Sequence, residues 1–452
     1  MSSTSNSMDQ SNFPSSSVAW RTTIILSALY WLSILDRFII ALLVDPIKRD
    51  LNISDVQFSL LQGLAFAVTY AVFGLFAGVL ADRANRRWII FLSVSAWSLA
   101  TAACGLAQTF IQLLLARVGV GIGEAGLNPS ATSMLADLFP RDRLTSGMAV
   151  YTLGATIGSG MAYLLGGLIV DLIAASDTIV LPIIGELRSW QSVFFIVGIP
   201  GAALSLIIFT IPEPTRRGGR SNLPAKQKKP SLLLAYKNLL VFMKPHWRFF
   251  LCHYSGFAVA SMVLTSGAMW YPAHMGRTFG WEAGQIGLSL GLILMAAGIT
   301  GKLLGAYIMD NMYRRGIHDA QIRWYAICLL IATPLGILAT TTDNPLIFMP
   351  SIGLFLLLLA PMPACSSAAL NLVTPNELRG TGMAFFAVTA GLLGSASGPI
   401  VVAVISDHLY DSSLGLALAT IIAICCPLAA AILALGCRPM RKSVAIAEAG
   451  YR

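Results

Sequence analysis

Apolar residues run through this chain in long blocks rather than in strict alternation. The first block, Ile24 to Leu43, carries Asp36 and Arg37 among residues that are almost all apolar. At about 1.5 Å per helical residue, roughly 20 such residues cross the hydrocarbon core of a bilayer. The block therefore predicts a membrane-spanning helix with two charges at depth, where each costs roughly 2.5 kcal/mol or more unless partnered. Further blocks near 57–81, 88–107, 111–137, 145–172 and 190–211 predict five more spans. After a polar break, six others follow near 248–274, 284–309, 323–341, 345–371, 380–406 and 413–436. The expectation is an all-α membrane protein of 12 transmembrane helices in two six-helix bundles. The first bundle covers 20–212 and the second 246–437. The Ser- and Asn-rich residues 1–19 should be a disordered tail without a cleavable signal, and 438–452 a second tail.

Composition agrees, with 56% hydrophobic and 11% charged residues and a mean hydropathy of +0.73. A soluble domain carries about 25% charged residues. The net charge of +9 could suggest nucleic acid, but of the 30 Lys and Arg residues 23 fall in alternate loops and at the termini. Four occupy the opposite loops, and Arg37, Arg117 and Lys302 lie inside spans. That bias puts both termini in the cytoplasm. Short loops point to a bacterial inner membrane. The seven cysteines have no C-x-x-C spacing, which argues against a disulfide framework or a zinc site. Neither a metal nor a cofactor is expected.

The break at 213–245 reads as a basic cytoplasmic linker, with Leu232, Leu233, Tyr236, Leu239, Leu240 and Met243 at the spacing of a surface amphipathic helix. The halves also resemble one another in sequence. Pro140 to Gly147-Met148-Ala149 recurs as Pro375 to Gly382-Met383-Ala384, and Asp82 with Arg86 and Arg87 recurs as Asp310 with Arg314 and Arg315. Two repeats of six spans follow, with a substrate site between them near the midplane.

Three groups of residues carry candidate chemistry. The loop after the second span holds Gly78, Asp82, Arg83, Arg86 and Arg87. There glycine allows close helix approach, and the charges can pair across a moving gate. Arg86 or Arg87 is expected to meet Asp137, and Asp82 to face the start of span 11 near Gly380. Arg117 and Glu124 are seven residues apart, so they share a helix face about 10 Å apart along the axis. With Asp36 and Arg37 at similar depth, two acids and two bases can neutralise one another. The formal G-x-G-x-x-G at Gly121, Gly123 and Gly126 has no strand before it, so it reads as close helix packing rather than a dinucleotide site. Gly154, Gly158, Gly160, Gly166 and Gly167 make the fifth span either a tightly packed or a rocking element, and Gly391, Gly394 and Gly398 do the same for the eleventh.

From Trp20 to Gly436 these motifs resemble the major facilitator superfamily. The Gly78–Arg87 loop is similar to its signature between helices 2 and 3, and the Gly154–Gly167 run to its helix 5 glycine motif. Asp36-Arg37 together with Arg117 and Gly121-Ile-Gly-Glu-Ala125 resembles the Spinster branch, known for sphingolipid and lysophospholipid transport. The second-half copy departs from the loop signature, since Gly305 stands five residues before Asp310 where Gly78 stands four before Asp82. The resemblance implies a monomeric alternating-access transporter, proton-coupled, for an amphipathic or lipid-like anion. Asp36 and Glu124 would carry the proton, and Arg37 and Arg117 the substrate's charge. A second expectation concerns the tail: Phe257, Met262, Met269, Trp270, Met295, Phe355 and Met362 give the second half an apolar, adaptable lining. Two rivals are a sugar or aromatic-acid symporter and a transport-dead sensor. An intramembrane enzyme lacks a Ser/His/Asp set, H-E-x-x-H or paired catalytic aspartates.

Overall fold

A computed structural model of the chain describes residues 13–174, 178–181, 185–216 and 232–450. Among them, twelve helices are long and apolar enough to cross a membrane. Spans 1 to 6 are Ser16–Leu42, Asp55–Ala81, Arg86–Cys104, Phe110–Leu138, Ser146–Ile173 and Ser189–Thr210. Spans 7 to 12 are Trp247–Phe279, Ala283–Arg314, Ala320–Thr341, Pro345–Val373, Leu378–Leu409 and Leu414–Ile446.

The ends differ from expectation. Helix begins at Ser16, inside the segment read as tail, and the last helix runs from Leu414 to Gly450 through Pro439. Alternating Ala residues and a Met–Arg–Lys turn keep the C-terminal segment helical although it lies beyond the apolar block. The linker's predicted amphipathic helix is present as Leu232–Met243. It buries Leu239 and sets Tyr236 against Phe385, with ring centroids 6.3 Å apart. The all-α expectation needs one correction: Thr178–Leu181 and Gly185–Arg188 form an antiparallel hairpin, with Thr178 opposite Arg188. The β-branched run Thr178-Ile179-Val180 favours strand over helix there.

The chain divides into two compact units, one of residues 1–53, 68–223 and 283–291, the other of 54–67, 224–282 and 292–452. The split is not at the linker alone. The first turns of spans 2 and 8 each group with the other half of the sequence, because of specific contacts. In the first unit Asp171 of span 5 accepts a hydrogen bond from the Gly284 N–H at 2.9 Å, and a Cβ at Gly287 would meet the Tyr163 carbonyl oxygen at 2.2 Å. In the second, Asp55 is 1% exposed and takes both terminal nitrogens of Arg277 at 3.0 and 3.1 Å.

Each unit carries one span interrupted near its middle, and the second unit carries two π-helical turns as well. Span 4 breaks after Glu124, between the helices Phe110–Glu124 and Leu127–Leu138. Span 10 breaks after Leu359, between Pro345–Leu359 and Met362–Val373. In the second unit, π-helical turns bend span 2 at Leu60–Leu64 and span 11 at Ala390–Ala396, and Gly63 packs on the Ala396 carbonyl. The glycines of span 5 serve tight packing: Cβ atoms at Gly154 and Gly158 would collide with Ser27 and Trp31 of span 1. At span 11, Gly394 and Gly398 lie against the Ala258 and Met262 carbonyls in the same way, but Gly391 faces open space.

Candidate functional site

The polar cluster of the first unit forms where helices stop being regular. Span 1 is α-helical to Phe38 and then tightens into a 3₁₀ turn at Ile39–Leu42, so Asp36 and Arg37 lie in its last α turn. Glu124 ends the first half of span 4, two residues before the break at Gly126. Glycine is needed there for space: a Cβ on Gly123 would stand 2.5 Å from the Trp97 nitrogen, and one on Gly126 would overlap Ser93 Oγ. Close packing against span 3 is thus what the glycine run provides.

These turns bring the expected quartet together. Arg37 Nη2 donates to Glu124 Oε2 at 2.5 Å, and Ser33 Oγ donates to the same oxygen at 2.8 Å. Glu124 has no side-chain exposure, whereas Arg37 keeps 26%. Arg37 also lies over the Tyr70 ring, 5.3 Å from its centroid, a cation–π contact. Beyond it, Asn128 donates to Tyr70 Oη at 3.0 Å and accepts from Tyr151 Oη at 2.5 Å, and Tyr151 stacks on Tyr30 at 5.0 Å. The part of this cluster open to a ligand is therefore one guanidinium set among tyrosine rings and an amide.

Asp36 and Arg117 sit deeper, both with no exposure. Arg117 Nη1 reaches the Asp36 backbone oxygen at 3.5 Å. The Asp36 carboxyl lies near Arg117, Trp97 and Thr101, and neither of its oxygens has a hydrogen-bond partner among the described residues. Arg117, expected as a substrate contact beside Arg37, is fully buried.

The loop signature divides. Arg86, fully buried, donates from Nη1 to Asp137 Oδ2 at 2.5 Å, as expected from the sequence. It also donates to Ser133, to Glu213 Oε1 at 2.7 Å and to the Pro214 carbonyl at 2.7 Å. Glu213 Oε2 accepts from the Arg87 N–H at 3.1 Å, while the Arg87 guanidinium binds the Phe209 carbonyl and covers its ring. The expected linker begins at Glu213, which instead is an ion partner at the start of span 3. Its flanking prolines, Pro212 and Pro214 immediately past span 6, were the available signal that it is held in place. Among the described residues nothing lies within 4 Å of where a Gly78 Cβ would stand, so the close approach expected at Gly78 is not formed. The Asp82 and Arg83 side chains, and with them the expected approach of Asp82 to Gly380, lie outside the described residues.

The apolar lining expected of the second half is mostly core. Phe257, Met269, Trp270 and Phe355 are at most 1% exposed. Phe257 stacks on Tyr325, and Trp270 donates to the Pro399 carbonyl at 3.0 Å. Met262 and Met295 alone of the seven are half-buried, Met362 being at 9%. Periodicity marks a buried face without saying whether protein or ligand covers it.

Residues 26–399 match the model of the Major Facilitator Superfamily. An MFS-type efflux pump of Mycolicibacterium smegmatis is 29% identical over 411 residues, 90% of this chain and 89% of the pump. Protein spinster of Drosophila melanogaster is 26% identical over 413 residues, 87% of this chain and 63% of that protein. The crystal structure of a bacterial homologue of the human lysosomal transporter Spinster, inward-facing and unoccupied, aligns with a TM-score of 0.79 at 25% identity over 95% of this chain and 99% of its own. A D-xylose–proton symporter shares the fold, with a TM-score of 0.65 at 15% identity. Similar along most of its length to Spinster proteins, the chain belongs to the Major Facilitator Superfamily, as a multi-pass secondary transporter that works by alternating access.

Proposed function

We propose that this transporter couples proton movement to the passage of an amphipathic anion, with Arg37 receiving the anionic group. The observation that carries the reading is the unequal exposure of one ion pair, Arg37 at 26% and Glu124 at 0%. An anion reaching Arg37 from the open side competes with Glu124 for the same guanidinium. Glu124 is then left in a closed, low-dielectric site, where a carboxylate without its cation is best neutralised by a proton. Proton uptake and anion capture are thereby linked through one side chain. Asp36, beside Arg117, offers a second carboxyl for the proton. The rings of Tyr30 and Tyr70 suit an apolar body next to a charged head, and the Asn128 amide beside them is already bonded to Tyr70 and Tyr151, which leaves it little to offer the hydroxyls of a hexose. The likeness to Spinster proteins favours a lysophospholipid or sphingoid phosphate.

Both termini are assigned to the cytoplasm on the distribution of Lys and Arg, and the membrane to a bacterial inner membrane. The Arg86–Asp137–Glu213 knot, with Asp82, is assigned to the cytoplasmic gate, where charge pairs bias two states.

Proteoliposomes loaded under a pH gradient test the reading with lysophospholipids, sphingoid phosphates, hexoses and hydroxybenzoates. Accumulation of an anionic amphiphile is expected, and it should be lost in Glu124→Gln and in Asp36→Asn. Gradient-driven uptake of a hexose that depends on Arg37, with no response to any lipid, would overturn the assignment.

A further inference from the structure

A second basic site lies in the other unit and shares no residue with the Arg37 cluster. Spans 9 and 12 pack side by side, and between them runs a groove of about 460 Å³. Its span 9 wall is Arg323, Ala326, Ile327 and Leu330, at spacing i, i+3, i+4 and i+7, so all four share one helix face. On span 12, Pro427, Ala430, Ala434, Arg438 and Arg441 fall on one face in the same way. The small residues keep the floor low, and Ile327 and Leu330, 40% and 55% exposed, form its flank.

Both faces end in arginine at the same end. Arg323 stands in the first turn of span 9, which begins at Ala320, and Arg438 follows directly on the apolar stretch of span 12. From Pro427 to Arg438 the helix rises about 16 Å, close to the half-thickness of a hydrocarbon core of about 30 Å. The groove thus spans one leaflet, with its arginines at headgroup level.

The arginines are held there by a buried acid. Asp319 has no side-chain exposure, accepts from Arg323 Nη2 at 2.8 Å and lies 3.6 Å from Arg441 Nε. It fixes two guanidinium groups against the groove and neutralises one of three charges. Arg438, exposed, adds the third, and Lys442 beside it is also exposed. The site is therefore a cationic rim above an apolar trough one acyl chain deep.

We infer that this groove binds an anionic phospholipid from the leaflet on the linker side, with its phosphate on Arg438 and Arg441 and one acyl chain along Ala430, Ala434 and Leu330. A free phosphate would use only the rim, and a zwitterionic lipid would set its own cation against the arginines. Arginine matches a phosphodiester with paired N–H donors, and basic pockets between helices recognise such headgroups.

The test uses the purified full chain in phosphatidylcholine nanodiscs doped with phosphatidylglycerol, with retained lipid read by native mass spectrometry and stability by thermal unfolding. Phosphatidylglycerol should be retained roughly tenfold over phosphatidylcholine. Arg438→Gln with Arg441→Gln should bring the two lipids level while the Arg323–Asp319 pair remains. Ala434→Leu, which fills the trough and leaves every charge in place, should also lower retention. Equal retention of both lipids, retention unchanged by either variant, or inorganic phosphate alone stabilising as much as phosphatidylglycerol would each refute the site.

Discussion

Arg37→Gln isolates the electrostatics of the cluster. Among the described residues, Glu124 then keeps the Ser33 hydroxyl at 2.8 Å and loses its cation. Removing one partner of a buried ion pair costs about 3–5 kcal/mol, because the remaining charge stays desolvated. Arg37 is 26% exposed, so water already screens part of the pair, and the lower end of that range, about 3 kcal/mol, is expected. Glu124→Gln removes the charge and should restore most of the stability in the Arg37→Gln background. Unfolding in mixed detergent micelles, followed by tryptophan fluorescence, gives the double-mutant cycle. If the two single losses simply add, or if Arg37→Gln is neutral, the pair does not stabilise the fold and its link to proton uptake fails.

Three further outcomes are expected. Glu213→Gln loses the charge that both Arg86 Nε and the Arg87 N–H contact, and should lower stability by about 1–3 kcal/mol in the same assay; no loss would mean that Asp137, Ser133 and the Pro214 carbonyl suffice to hold Arg86. Gly123→Leu drives a side chain into the Trp97 backbone and should abolish a monodisperse peak in size-exclusion chromatography, whereas Gly391→Ala, with nothing within 4 Å, should leave the peak unchanged. At the linker-side end of span 7, half-buried His246 has its proton affinity lowered from the ordinary 6.5 by desolvation and shares a hydrogen bond with Ser443 at 2.8 Å. The unfolded state then binds more protons than the folded one just below pH 6.5, so stability declines as pH falls through that window, and His246→Gln should flatten the decline.

The twelve spans were legible because a bilayer demands apolar length, and length survives any detail of packing. Tight helix contacts were legible for a similar reason, since Gly123, Gly126, Gly154 and Gly158 stand where backbones touch. Ion partners were legible in part. Arg86 with Asp137 joins neighbouring spans, where sequence adjacency limits the choices. Glu213 escaped because its partners, Arg86 and Arg87 at the start of span 3, lie 127 and 126 residues away in sequence and only the folded chain brings them together. The exposure of Arg37 and the closure of Arg117 were not legible either, since seven residues of spacing fix a face but not what covers it. The same gap explains why Phe257 and Trp270, read as lining, proved to be core.

The internal repeat gives that asymmetry a physical form. Pro140 and Pro375 immediately precede the helices that start at Arg141 and Asn376 and lead into spans 5 and 11, an offset of 235 residues, and the breaks after Glu124 and Leu359 in spans 4 and 10 fall at the same offset. Under it, Arg117 corresponds to Ile352 and Glu124 to Leu359, both apolar and both fully buried in the second unit. Each repeat therefore keeps the interrupted helix, but only the first has placed charge at the interruption. A helix break alone exposes backbone polar groups that a membrane protein must satisfy, and at Ala360-Pro361 the second repeat bonds the Ala360 N–H to the Leu356 carbonyl and the Cys365 N–H to the Pro361 carbonyl with no charged side chain. The charges of the first repeat are thus not needed to build the break. They bring a desolvation cost that the second repeat avoids, and the function proposed above accounts for that cost, with Arg37 receiving an anion and Glu124 or Asp36 a proton.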